Sequence, residues 1–223
     1  MKLEKIKFNN HEIFNDLEVD FKDNNGKILY IIVIIGENSS GKTTLLKSIY
    51  DLFDRDQRGY EEVGDNKVEL TPALYTATVK LEDNEIGMLS PEVLQFKYNP
   101  TDPKVVYMPT EMNFEKINKV DITGLSSGEK QLFLRALSLK FLEVNNSIIL
   151  IDEPEISLHP QWQRKIIDVY KSIGNNNQLI IATHSPHVIG NITSDELRVM
   201  IKDDNGIKLI DNDNLSENYD LYL

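Results

Sequence analysis

The chain has 223 residues, 40% of them hydrophobic and 27% charged, with a net charge of −12 and no cysteine. That length suits one large domain or two small lobes around a proper core, and the composition excludes a disordered or fibrous chain. The acidic balance argues against a chain that grips nucleic acid by its overall field, and the lack of cysteine fits a reducing, cytoplasmic setting.

The first ten residues, "MKLEKIKFNN", lack the apolar stretch of a signal peptide. Apolar positions at Leu3, Ile6 and Phe8, followed by "LEVDF" at Leu17 to Phe21, predict an antiparallel β layer, with "DNNGK" at Asp23 to Lys27 as a turn. The run "ILYIIVII" at Ile28 to Ile35 is rich in β-branched residues, as a strand buried on both faces would be. It is far too short to span a bilayer.

Beyond Gly36, Leu45, Leu46, Ile49, Leu52 and Phe53 fall on one helical face. Residues 54–66 read as polar and turn-like, and Lys67 to Lys80 as further strands. Val105 to Met108 reads as a strand, and a helix is expected from about Ser127 to Val144. The strand "SIILI" at Ser147 to Ile151 comes next. A helix from about Gln161 should carry Trp162, Ile166, Val169, Tyr170 and Ile173 on one face, and "QLIIAT" at Gln178 to Thr183 is another buried strand. This alternation implies a largely parallel sheet. The lysines of "KINK" at Lys116 to Lys119 read as solvated surface, and the acidic tail from Asp211 as a frayed terminus, with a docking segment as the alternative.

Four motifs carry chemistry. "GENSSGKTT" comprises Gly36, Glu37, Asn38, Ser39, Ser40, Gly41, Lys42, Thr43 and Thr44, and it matches G-x-x-x-x-G-K-[ST] between a strand and a helix. Inward-turned backbone N–H groups and the helix N-terminus would hold phosphates, Lys42 would reach the β/γ oxygens, and Thr43 would ligate Mg²⁺. "SIILIDEP" ends a buried strand on Asp152, a second metal ligand, and Glu153, which would polarise water. "IIATHSP" presents His184 after another buried strand, at the sheet edge where ligands gather.

"GLSSGEK" places Ser126, Ser127, Gly128 and Glu129 at a helix N-terminus, a second anion-binding layout. The first loop already wraps the nucleotide of its own chain. The second would therefore cap a nucleotide held by an opposite copy, making two ATP molecules the glue of a dimer.

With these residues in order, the chain resembles the ABC-type ATPases over nearly its whole length. The resemblance implies a Walker A loop at Gly36 to Thr43, a signature at Leu125 to Glu129 acting in trans, a Walker B strand at Ile148 to Glu153, a D-loop around Ser157 to His159 and a switch histidine at His184. It implies an α/β P-loop NTPase fold: a RecA-like parallel core, an N-terminal antiparallel β layer and a helical signature lobe. The expected boundaries are a core lobe at about 1–85 and 145–223 and a signature lobe at about 86–144.

"SSGEK" and "THSP" depart from the transporter pattern, and "GENSSGKTT" and "DEPEISLHPQWQ" look like the SMC, RecF and OLD (overcoming lysogenization defect) group. Fewer than ninety residues separate Lys42 from Ser126, too few for the SMC coiled coil, and about forty follow His184, too few for an OLD Toprim domain. The resemblance implies an ATPase using ATP and Mg²⁺, a homodimer on ATP binding, and a separate effector, a nuclease or toxin, in phage defence or DNA maintenance. DNA would be reached through that partner, without membrane insertion. A transporter's ATP-binding subunit and a non-catalytic regulator are the alternatives. Where a Q-loop glutamine is expected, Thr110 stands with Glu111 beside it; Gln95 lies upstream. Phe14 is a candidate to stack on adenine, with a core position as the better reading.

Overall fold

The computed structural model describes residues 2–53, 60–63, 67–70, 76–82, 86–89, 104–111, 124–204 and 206–211. Gln95, Lys116 to Lys119 and the tail beyond Asp211 lie outside them, so the readings made there stand as expectations.

The first layer is antiparallel. β1 (Leu3–Asn9) pairs with β2 (Glu18–Asp20) on one side and β6 (Thr76–Leu81) on the other, and β7 (Ile86–Leu89) completes the order β2-β1-β6-β7. β4 (Tyr60–Val63) and β5 (Lys67–Leu70) form a separate hairpin, so part of the expected turn-like stretch is extended instead.

The second layer is the expected parallel sheet. β3 (Ile31–Ile35), β8 (Val105–Met108), β9 (Ile148–Asp152), β10 (Gln178–Thr183) and β11 (Leu197–Asp203) run parallel, with β12 (Gly206–Asp211) antiparallel at one edge. The order is β12-β11-β3-β10-β9-β8. Every residue of β9 and β10 is buried, because both faces are covered. Ile32, Ile34, Ile148, Leu150 and Ile180 face α1 (Lys42–Phe53) and the antiparallel layer. Val33, Ile149, Ile151 and Ile181 face the other way, toward α2 (Ser127–Phe141) and α4 (Ile166–Lys171).

A buried amide side chain helps to join the two layers. Gln178, fully buried at the start of β10, accepts from the Leu3 N–H at 2.8 Å and donates to the carbonyls of Leu3 and Leu29 at 2.9 and 3.0 Å. These bonds satisfy a buried amide that would otherwise carry a large desolvation cost.

The single helix expected from Gln161 is two helices, α3 (Pro160–Gln163) and α4. His159 caps the first and Pro160 opens it, while Lys165 departs from ideal helix geometry at φ −104°. Trp162 therefore does not share the buried face of Ile166 and Tyr170, and stays 44% exposed. The sequence reading also missed the β11–β12 hairpin, although "LRVMIKDDNGIKLID" carries the hairpin signal Asn-Gly between apolar runs.

Candidate active site

The phosphate-type loop follows from the edge of β3. Ser39 and Gly41 take positive φ, +67° and +105°, which turns residues 36–41 back before α1 begins at Lys42. A Cβ on Gly36 would lie 2.4 Å from the Met200 carbonyl oxygen, so β11 passes too close for any other residue. Glu37, Asn38 and Ser39 are exposed and Thr44 is half-buried. Ser40 is buried, and its hydroxyl has no hydrogen-bond partner. Phe14 is 2% exposed and packs on Phe8 and His11 beneath the loop, a core position.

Lys42 folds back over this loop, donating from Nζ to the carbonyls of Gly36 and Glu37 at 2.8 and 2.9 Å. Burial pulls its pKa down, against the opposing charges of Glu153, Asp152 and Glu155.

One turn along, the Thr43 hydroxyl lies 3.1 and 2.9 Å from the two carboxylate oxygens of Asp152. Thr110 donates to the same carboxylate at 2.9 Å and the Tyr107 hydroxyl approaches it at 3.4 Å. Burial, and then the charge of Asp152, push the Tyr107 phenol pKa up. Thr110 thus stands at the Asp152 carboxylate, a contact the sequence reading had left unassigned, while Glu111 is exposed. A buried carboxylate ringed by hydroxyls is a set of hard oxygens, the donor chemistry that Mg²⁺ takes. Together with the glycine cradle and the unpartnered Ser40 hydroxyl, it fits a magnesium–nucleotide complex.

Past the end of β9, Glu153 adopts φ +45° and donates its N–H to the Ala182 carbonyl at 2.9 Å. That geometry brings its carboxylate into direct contact with His184 Nδ1. Burial, followed by repulsion from Glu155, raises the Glu153 pKa to about 7. Glu155, which the sequence reading did not single out, is 3% exposed and accepts from the Thr183 hydroxyl and, at 3.3 Å, from the His184 N–H.

The Ser126–Glu129 turn is a capping box. Ser126 accepts from the Glu129 N–H, and the Glu129 carboxylate accepts from the Ser126 N–H at 2.9 Å. The Ser126 hydroxyl, 2.7 Å from that carboxylate, and then the N–H lower the Glu129 pKa. Ser126 and Ser127 are exposed, and among the described residues no hydrogen bond joins residues 126–129 to residues 36–44. Gly128 is buried against the Ser157 carbonyl, where a Cβ would come within 2.2 Å of the oxygen.

Arg135, two turns along α2 and 1% exposed, was also missed. Its guanidinium donates to the carbonyls of Pro109 and Thr110 at 2.7 and 2.5 Å, and of Asp152 and Glu153 at 3.3 and 3.4 Å. It ties the signature-type helix to the strand ends that carry the acidic residues.

The parallel sheet, the glycine loop after β3 and the acid pair after β9 give the chain the α/β fold and site layout of the P-loop ATPases. The model of an AAA ATPase domain matches residues 1–104, and that of an AAA domain described as putative AbiEii toxin, Type IV TA system, matches residues 108–190. In these matches the chain is similar to the SMC, RecF and OLD-like group of ATPases. Part of it is 32% identical to the retron Vc95 probable ATPase of Vibrio cholerae serotype O1 biovar El Tor, over 42% of this chain and 20% of that protein. The chain thus matches only about a fifth of the length of that relative. It is 24% identical to the arginine transport ATP-binding protein ArtM of Bacillus subtilis, over 82% of this chain and 80% of that one. The fold is similar to the SMC head domain from Thermotoga maritima, with a TM-score of 0.54 and 14% identity over 95% of this chain and 99% of that one. Among the described residues no helix is long and apolar enough to cross a membrane.

Proposed function

We propose that the chain binds MgATP on residues Gly36 to Thr44, hydrolyses it, dimerises around two nucleotides and so switches a separate effector, a nuclease or toxin, in antiviral defence or DNA maintenance. The observation that carries this reading is the proximity of Thr43 and Asp152, within 3.1 Å, beside a carboxylate that touches His184.

Mg²⁺, when held by Thr43 and Asp152, supplies positive charge beside the β/γ phosphate oxygens. Lys42 leaves the Gly36 and Glu37 carbonyls to bind those oxygens. Glu153 accepts the proton of the attacking water, and its pKa of about 7 suits a base working near neutrality. His184 holds the water side of the site through its contact with Glu153. Ser126, Ser127, Gly128 and Glu129 close over the nucleotide of the opposite copy, which the exposure of the two serines supports. The lobes divide at about residues 86 and 144, and any DNA is met through the effector. The retron relative supports the defence setting.

Purified protein should release phosphate from ATP, and Glu153→Gln should bind ATP, lose turnover and accumulate a dimer on light scattering. A variant that stays monomeric with saturating MgATP would sink the dimer reading. A second reading, the ATP-binding subunit of a transporter, is favoured by the extent of the ArtM match. It predicts co-purification with a transmembrane subunit from the native cell.

A further inference from the structure

A second group of ligating side chains converges where β9 and β10 end. One ligand atom from each of Glu153, Glu155 and His184 lies within 4.8 Å of the others. From this cluster we infer that the chain holds a divalent transition-metal ion of the Zn²⁺ class on Glu153, Glu155 and His184, separate from the hard-oxygen pair Thr43 and Asp152.

The charge at this cluster gives a cation a place. The side chains of Glu153 and Glu155 are 13% and 4% exposed, and both face His184. Among the described residues no lysine or arginine donates to either carboxylate. Lys42 is engaged by the Gly36 and Glu37 carbonyls, and Arg135 by four carbonyls of the strand ends. Buried carboxylates without such a partner are held by a proton or by a metal.

Glu155 Oε2 is buried without a hydrogen-bond partner, as is Glu153 Oε2 apart from its contact with His184. Glu155 Oε1 is held by the Thr183 hydroxyl and the His184 N–H, as outer-shell donors hold a ligating carboxylate. Glu153 is aimed from the other side by its positive φ, with its N–H on Ala182 and its carbonyl on Arg135. Zn²⁺ ligand bonds of about 2.0–2.2 Å put neighbouring donors roughly 3.3 Å apart. His184 Nδ1 is 3.8 Å from Glu155 Oε1, on the carboxylate that carries the unpartnered oxygen, and closer than that spacing to Glu153, so His184 must move off Glu153 to reach it. Its side chain is 51% exposed, free to swing away from Glu153 and admit an ion.

Entry is through a cavity of about 330 Å³ lined by Glu155, Ser157, Gln163, His184 and Ser185. One imidazole nitrogen with two carboxylates selects Zn²⁺, Co²⁺ or Mn²⁺ over Mg²⁺. An ion here occupies Glu153 and His184, so its binding and nucleotide turnover exclude each other, and zinc acts as a brake on the site. Binding itself needs no nucleotide and does not rest on the hydrolysis reading.

The test is titration of the full, untagged, nucleotide-free chain with Co²⁺, read by visible d–d absorption, with Zn²⁺ and Mg²⁺ as competitors. One Co²⁺ per chain should bind, be displaced by Zn²⁺ and persist in tenfold excess Mg²⁺. His184→Gln and Glu155→Gln should each weaken binding at least tenfold, while His159→Gln, His187→Gln and Thr43→Ala retain the band. Absence of the band in the parent chain, or its survival in His184→Gln, overturns the inference. Should Glu155→Gln fail to fold, His184→Gln, at a half-exposed position, decides alone. Phosphate release from ATP, assayed on the same preparation, shows whether a failure belongs to the metal site or to the ATPase reading.

Discussion

The guanidinium of Arg135 lies 3.4 Å from the main-chain carbonyl of Glu153, so the helix that begins at the Ser126–Gly128 turn is tied to the backbone of the carboxylate facing His184. Movement of that helix is therefore felt at the acidic pair. Arg135→Met would leave carbonyls of both strand ends without a donor in a buried place, which costs about 1–3 kcal/mol. Thermal unfolding should show the loss, and Arg135→Lys should recover part of the stability while turnover stays low, because one ammonium cannot span all four carbonyls. Full turnover in Arg135→Lys would show that the tie is structural only.

Glu153 titrates with a sign opposite to that of most paired carboxylates. Its folded pKa of about 7 exceeds the ordinary 4.5, so the folded chain binds more protons than the unfolded one between those values. Stability from this group is full below about pH 4.5 and is lost as pH rises to about 7. Glu155, His184 and Lys42 face it, and the first of these adds to the effect while the other two oppose it. Glu153→Gln, melted in EDTA, should exceed the parent chain in stability by about 3 kcal/mol at pH 8, at 1.36 kcal/mol per pKa unit. The gap should close toward pH 4.5. A gap that widens toward acid would refute the raised pKa.

The same carboxylate sets the acid limb of turnover. If Glu153 is the base, kcat/KM should rise with pH through about 7 and then level. Glu153→Gln should cost roughly 10²–10⁴-fold in kcat with nucleotide affinity kept. Phosphate release across pH 5–9 and nucleotide binding by calorimetry supply the two readings; a limb unchanged in position in a residually active variant would point to another base.

Gly128→Ala separates nucleotide binding from assembly. The added methyl would press on the Ser157 carbonyl at 2.2 Å, and its three nearest neighbours all belong to Ser157 and Leu158. ATP affinity should hold within about threefold, a free-energy change well under 1 kcal/mol, while the ATP-dependent dimer is lost. A drop in affinity matching that of Lys42→Ala would show that the turn serves its own chain's nucleotide.

Removing Gln178 tests the joint between layers. Gln178→Ala deletes three hydrogen bonds and strands the main-chain groups of Leu3 and Leu29, a loss of about 2–3 kcal/mol. Denaturant unfolding measures it, and a midpoint equal to that of the parent would show that the layers are held by apolar packing alone.

The sequence by itself determined the glycine loop between a β-branched strand and an amphipathic helix, the acid pair ending "SIILI", the histidine after "QLIIAT" and the parallel character of the sheet. Those are local patterns, in which neighbouring residues create the conformation that the chemistry needs. Trp162 shows the limit of periodicity, because one unfavourable turn at Lys165 moves it off the buried face.

Only the tertiary structure decided that Thr110 and Tyr107 meet Asp152, that Glu155 meets His184, that Arg135 spans two strand ends and that Gly128 rests on Ser157. The first three of these pairings depend on β8, β9 and β10 lying side by side, an adjacency made by strand pairing between residues some thirty or more positions apart. A buried polar group takes whichever partner the sheet order delivers to it, and no period in the sequence encodes that delivery.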